Sequence, residues 1–201
     1  MRTYFLYATA LAMLVAPIAA QAATVTIDVR DAGGKPMPDT VVIIDTPKKP
    51  AGPVRFPWPM VMSQKNIMFA PHVLVVPLGA SVSFPNLDRV RHHVYSLTGA
   101  KKFDLKLYGQ DQTRSVVFDK PGLVSIGCNI HDSMSAFIYV VDTPYAMVTD
   151  ANGRVTIPNV PTGGATIRLW NPAIRAPGNT LSQGIAIPAS GLATTYTIKG
   201  K

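Results

Sequence analysis

From Ala23 to Lys199 the sequence is cut into short runs of β-branched residues by turns rich in proline and glycine. With 18 prolines, 15 glycines and no glutamate in 201 residues, the material for long helices is missing, and the pattern reads as all-β. Ala23 to Arg30 alternates apolar and polar residues, which predicts a strand with one buried face. Asp31 to Pro36 is a turn, and Thr40 to Asp45 is a second strand. The proline-rich stretch Thr46 to Pro59 reads as a linker or long loop. Further strands are expected after Phe69 and at Ser81–Phe84, His92–Leu97, Lys102–Tyr108, Thr113–Phe118, Leu123–Cys128 and Ala136–Val141. About seven short strands in a row predict a β-sandwich. Beyond Asp142, Ala146 to Ile157 reads as a hairpin with Asn152-Gly153 at its tip. A turn at Pro158–Gly163, a strand at Ala165–Trp170 and a closing strand at Tyr196–Lys199 follow.

The chemistry concentrates in Gly127-Cys128-Asn129-Ile130-His131-Asp132-Ser133-Met134. Cys128 is the only cysteine, with a histidine three residues later and a methionine three after that. Thiolate, imidazole and thioether on one loop form a soft donor set that suits copper. Zinc and iron–sulfur sites ask for more cysteines. A second imidazole must come from elsewhere, and His92 and His93 stand about 35 residues upstream. The two are adjacent on an expected strand, so only one can face the site, and periodicity does not choose between them. Plainer readings stand beside these. Cys128 and Met134 also suit a buried core, and His131 also suits a surface loop. His72 reads as an ordinary strand residue, and Tyr95, Tyr108 and Trp170 as packing.

The N-terminus carries Arg2, an apolar run from Tyr4 to Ala19, and Ala20-Gln21-Ala22 as a small-x-small cleavage site. Residues 1–22 therefore read as a secretory signal, and the expected location is a bacterial periplasm. No later stretch is long and apolar enough to span a bilayer, so no stable membrane insertion is expected after cleavage. The exported compartment is oxidising, and metal ligation explains how a lone thiol survives there. The formal charge of +8 favours acidic partners, but the basic residues are scattered and form no nucleic-acid stripe. No catalytic triad, phosphate-binding glycine loop or patterned pair of carboxylates is present, so no enzyme activity is expected.

Several motifs occur in one order. They are Phe69-x-Pro71 before an alternating strand and Gly79, Asn86 six residues before His92, Lys120-Pro-Gly122-Leu-Val-Ser-Ile-Gly-Cys128, and Cys128-x-x-His131-x-x-Met134. Together they resemble the cupredoxins, specifically the plastocyanin, amicyanin and pseudoazurin group, over about 80 residues. The resemblance also extends to small exported proteins of methylamine utilisation. It implies a Greek-key β-sandwich holding one type 1 copper ion. It favours His92 over His93, and makes His92, Cys128 and His131 the copper ligands with Met134 the weak axial one. Asn86 and Asn129 are candidates to orient the rings. Where the family usually has Asn after its first histidine this chain has His93, and Asp132-Ser133 replace the usual loop aromatic or proline. The implied function is single-electron transfer, with a c-type cytochrome or a dehydrogenase as partner. Copper binding and delivery is the alternative.

The flanks resemble a second family. Val25 to Ile44, with Asp31-x-x-Gly-Lys35-Pro36, and Thr149 to Gly163 are similar to carboxypeptidase-regulatory-like, transthyretin-like sandwiches. About 100 residues separate the two pieces. The expected organisation is a signal at 1–22, a first sandwich segment and linker at 23–60, a cupredoxin domain at 61–142, and the rest of a discontinuous second sandwich at 143–201.

Overall fold

A computed structural model describes residues 21–97 and 99–199. The strands are β1 (Ala22–Asp31), β2 (Val41–Asp45), β3 (Ser63–Lys65), β4 (Met68–Ala70), β5 (Val73–Pro77), β6 (Ser81–Pro85), β7 (His92–Ser96) and β8 (Phe103–Tyr108). They continue as β9 (Thr113–Val117), β10 (Gly122–Cys128), β11 (Ser135–Val141), β12 (Ala146–Val148), β13 (Arg154–Pro161), β14 (Gly163–Trp170), β15 (Thr180–Ile187) and β16 (Leu192–Ile198). One 3-10 turn, Pro177–Asn179, is the only helical element among the described residues. The chain is all-β, as its punctuation predicts. All but Gln21 and Ala22 of the expected signal lie outside the described residues.

A five-stranded sheet in the order β5-β11-β10-β7-β8 is built wholly from the middle of the sequence. Two other sheets mix the two ends of the chain. One is three-stranded, β13-β1-β16, and one is four-stranded, β12-β2-β14-β15. β1 pairs antiparallel with β13 and parallel with β16. β2 pairs antiparallel with β12 and β14. Two-stranded ribbons, β3-β4 and β6-β9, complete the molecule.

Side-chain alternation sorts the sheets into layers. Val42 and Ile44 of β2 join Val25, Ile27, Val29, Ile157, Ile167 and Leu169 in one core. Their neighbours Val41 and Ile43 point the other way and meet Val73, Val75, Tyr139, Val141 and Trp170. In turn Leu74, Val76, Ile138 and Val140 join Val82, Phe84, Val116 and Phe118 in a third core. β2 and β5 each show four consecutive buried residues because both of their faces are covered. Each buried valine or isoleucine contributes about 1.5–3 kcal/mol, so the junction between the end-built and middle-built sheets is a core in its own right.

The proline-rich stretch forms no strand, but it is pinned. The Trp58 indole N–H donates to the Val75 carbonyl at 2.8 Å, and Phe56 stacks on Trp58 with ring centroids 4.6 Å apart. The expected 146–157 hairpin does not form. β12 pairs with β2 and β13 with β1, although the Asp150–Gly153 turn closes with a 2.9 Å backbone bond. The Val29 N–H captures the Gly153 carbonyl at 2.7 Å and draws β13 into the other sheet. A side chain at Gly153 would meet that backbone, 2.4 Å from the Val29 oxygen, and its φ of +71° also favours glycine. Of the expected turn at Pro158–Gly163, the first four residues are the end of β13 and Gly163 begins β14, and β3 and β15 lie where no strand is expected.

Candidate metal centre

Cys128 ends β10, and β7 lies beside it in antiparallel register, with Cys128 opposite Val94 and Gly127 opposite Tyr95. Strand alternation then decides between the adjacent histidines. His92 shares a side with Val94, inside the core, and is fully buried, while His93 shares the outer side with Tyr95. His131 is delivered by the tight loop between β10 and β11. The Met134 N–H donates to the His131 carbonyl at 2.9 Å, and the Cys128 N–H to the Met134 carbonyl at 3.2 Å.

The Cys128 sulfur lies 3.9 Å from His92 Nδ1 and 3.7 Å from His131 Nδ1, and the three ligand atoms fall within 4.8 Å of one another. Donors sharing one first-row metal at about 2.0–2.3 Å stand about 3.5–4 Å apart, so these separations fit a common ion. One thiol carries one proton and cannot donate to both imidazoles. A soft metal satisfies all three atoms at once, and one thiolate with two imidazoles matches copper. Met134 is buried in the same core cluster as Cys128. His131 is partly exposed, and the neighbouring Asp132 and Ser133 are exposed.

His92 is held from behind by Asp88. Its Nε2 lies 2.8 Å from the Asp88 carboxylate, which leaves Nδ1 to face the sulfur. The same carboxylate accepts the N–H groups of Asn66 at 2.7 Å and Ile67 at 2.9 Å. Burial works against its charge, but the Ile67 N–H, the His92 ring and the Asn66 N–H outweigh that and hold the carboxyl below its ordinary value. Asn66 and Ile67 form the β3–β4 turn with φ of 56° each, a conformation a β-branched residue rarely adopts, and Asp88 is the acceptor that caps it. Asn86 acts one step further out. Its side-chain oxygen accepts the Asp88 N–H at 2.9 Å, and its amide donates to the Val90 and Tyr108 carbonyls. Asn129, the other candidate, is exposed, and its backbone N–H donates to the His93 carbonyl at 3.3 Å.

Asp88 and the buried Gln64 are absent from the sequence-derived site. Asp88 leaves a trace in its position four residues before His92. Gln64 bridges to Asn86, and its carbonyl accepts the Leu87 N–H at 2.9 Å. We expect Asp88→Asn to weaken metal affinity about 10- to 100-fold, read by competition with a chelator. An unchanged affinity removes Asp88 from the orienting role.

The other candidates lie apart. His93 Nε2 meets the Asp104 carboxylate, which also binds the Lys106 ammonium at 2.6 Å and the Lys106 N–H at 2.8 Å. Lys106 first and His93 after it hold the Asp104 carboxyl well below the usual carboxylate range. His72 Nδ1 pairs with Asp39 at 2.9 Å. Tyr95 lies over Gly127, where a β-carbon would stand 3.1 Å from its ring, and burial pushes the Tyr108 hydroxyl well above its ordinary value.

No protein-family model and no curated protein matches this sequence. Solved structures similar to parts of the chain include a copper-containing nitrite reductase from Thermus scotoductus SA-01, 28% identical with a TM-score of 0.40, over 48% of this chain and 27% of that one. This chain thus spans about a quarter of that reductase's length. A purple cupredoxin from Nitrosopumilus maritimus is 19% identical with a TM-score of 0.37, over 40% of this chain and 98% of its own. A variant of amicyanin in the Cu(I) state is 21% identical with a TM-score of 0.38, over 41% of this chain and 82% of its own. In this chain His92, Cys128 and His131 gather where the middle-built five-stranded sheet meets the β10–β11 loop.

Proposed function

We propose that this is a type 1 copper protein that carries single electrons between redox partners in the periplasm after export by the signal at 1–22. The observation that carries the reading is the convergence of His92, Cys128 and His131 from two neighbouring strands and one loop. These residues would hold the ion, and Met134, buried beside Cys128, would offer a thioether from the same loop. Bound copper supplies a one-electron couple that this donor set serves in both oxidation states. Asp88 fixes the ring and tautomer of His92, and the sandwich core keeps water from Cys128, which is 5% exposed. His131 alone among the three reaches towards solvent, and its ring edge is the port for the electron.

Exposed Leu87, Arg89, Val90 and Arg91 precede His92 in the chain, and exposed Ile130 precedes His131 with exposed Asp132 after it. The net positive charge favours an acidic redox protein, in the class of c-type cytochromes or dehydrogenases, including those of methylamine oxidation. The protein performs no reaction of its own. Residues 61–142 form the copper domain, and 23–60 with 143–201 form the second sandwich, into which the first is inserted.

Copper-loaded protein is expected to show an intense thiolate-to-copper band in the visible, bleached by a mild reductant and restored by an oxidant. Colourless, labile Cu(I) binding identifies a delivery protein instead. No copper uptake in either redox state overturns both.

A further inference from the structure

Between β2 and β3 the chain runs from Thr46 to Met62 without a strand. Structureless loops longer than about 12–15 residues are uncommon in compact folds, and those that occur are commonly binding loops or lids. This one is held in shape. Five prolines lie between Pro47 and Pro59, and Trp58 is fixed by its bond to Val75 and its stack on Phe56. A cavity of about 380 Å³ lies against it, walled by Phe56, Trp58, Tyr145 and Met147, with Arg55 and Asn159 also in its lining. That volume falls in the range of small-molecule sites, about 300–1,000 Å³.

Two observations say what the cavity takes. Tyr145 is only 9% exposed, yet its hydroxyl bonds no group among the described residues. Buried hydroxyls are nearly always partnered, so an unpartnered one in a cavity wall asks for an acceptor. Burial pushes that hydroxyl above its ordinary value, and it stays a neutral donor. The second observation is charge. Arg55 is exposed and forms no ion pair among the described residues, and no acid is in the lining. A second cavity, of about 430 Å³, shares Tyr145 and adds Lys48, also without an acid, and Lys49, whose ammonium is taken by Asp142.

We propose that the 380 Å³ cavity binds an organic carboxylate with a flat apolar body. The Arg55 guanidinium pairs with the carboxylate, the Tyr145 hydroxyl donates to one of its oxygens, and the apolar body lies along Phe56 and Met147. The prolines and the anchored Trp58 keep the wall in place before the ligand arrives, which lowers the ordering cost of binding. The inference does not rest on the copper reading.

Titration of the exported protein, kept reduced, with 1-naphthaleneacetate tests it by nuclear magnetic resonance. Saturable shifts are expected at Arg55, Tyr145 and the Met147 methyl. 1-Naphthaleneacetamide, which has the same shape without the charge, is expected to bind at least about 10-fold more weakly. Arg55→Gln should weaken the acid about 10-fold and leave the amide unchanged. Tyr145→Phe should weaken the acid about 3- to 10-fold without lowering the melting midpoint, because no bond within the protein is lost. Both variants should keep the visible copper band, so a failure here is distinct from a failure of the copper reading. No saturable shift at these residues, equal binding of acid and amide, or an Arg55→Gln or Tyr145→Phe protein that binds the acid as the wild type does would each overturn the proposal. So would a lowered melting midpoint in Tyr145→Phe, which would mark the hydroxyl as structural.

Discussion

Cys128→Ser is expected to abolish the visible copper band completely and to lower copper affinity by more than about 100-fold, beyond the loss from an orienting residue. The substitution keeps the size of the side chain and changes only the donor. Cys128 lies in the core cluster with Val94, Ile126 and Met134, and the serine hydroxyl has the His92 and His131 imidazoles as hydrogen-bond partners, so the fold survives with a modest loss. The readouts therefore separate. The visible spectrum and copper competition report the site, and far-ultraviolet circular dichroism with a thermal scan of the metal-free protein reports the fold. A variant that folds normally and still gives an intense band would rule out the thiolate as a ligand, and the proposed function would go with it.

Trp170→Ala carries the largest expected loss of stability. Trp170 is 2% exposed, and its ring meets Phe137 at 5.0 Å and Tyr139 at 5.9 Å between centroids. It ends β14 in the end-built part of the molecule, whereas both partners belong to β11 of the copper-side sheet. Truncating a buried tryptophan costs about 3–5 kcal/mol. Its indole N–H has no hydrogen-bond partner among the described residues, so no such bond is lost and the low end, about 3 kcal/mol, is expected. At this chain length that corresponds to a fall of about 10 °C in the melting midpoint of the metal-free protein. A loss below about 1 kcal/mol would show that the two sandwiches barely support each other.

Much of this was legible in the sequence because its signals are local. Turn residues and β-branched runs mark most strands to within a few residues. The Cys128–Met134 spacing marks the loop that carries the soft donors. Strand alternation alone leaves His92 and His93 undecided and only the resemblance favours His92, whereas the register of β7 against β10 puts His92 on the core side. The hairpin at Asn152-Gly153 failed for a related reason. The turn is present, but strand partners are chosen by tertiary capture of β13 by β1. Asp88 escaped because a carboxylate in a loop has no pattern until the ring behind it is placed. β15 escaped because its Ser-Gln-Gly centre lacks a clean alternation, and pairing with β14 overrides that weakness.

The doubly covered β2 poses one more problem. With Val41, Val42, Ile43 and Ile44 all apolar, sliding the strand by one residue swaps which side chains feed which core and leaves every one of them buried. Greasiness alone is therefore blind to that error, and polar latches at the strand's two ends must do the counting. At one end the Arg168 guanidinium grips both oxygens of Asp45, and at the other the Asn171 amide donates to the Thr40 hydroxyl at 3.0 Å. Erasing both latches together should yield a protein that still collapses but no longer agrees with itself about alignment, visible as doubled amide resonances along β2.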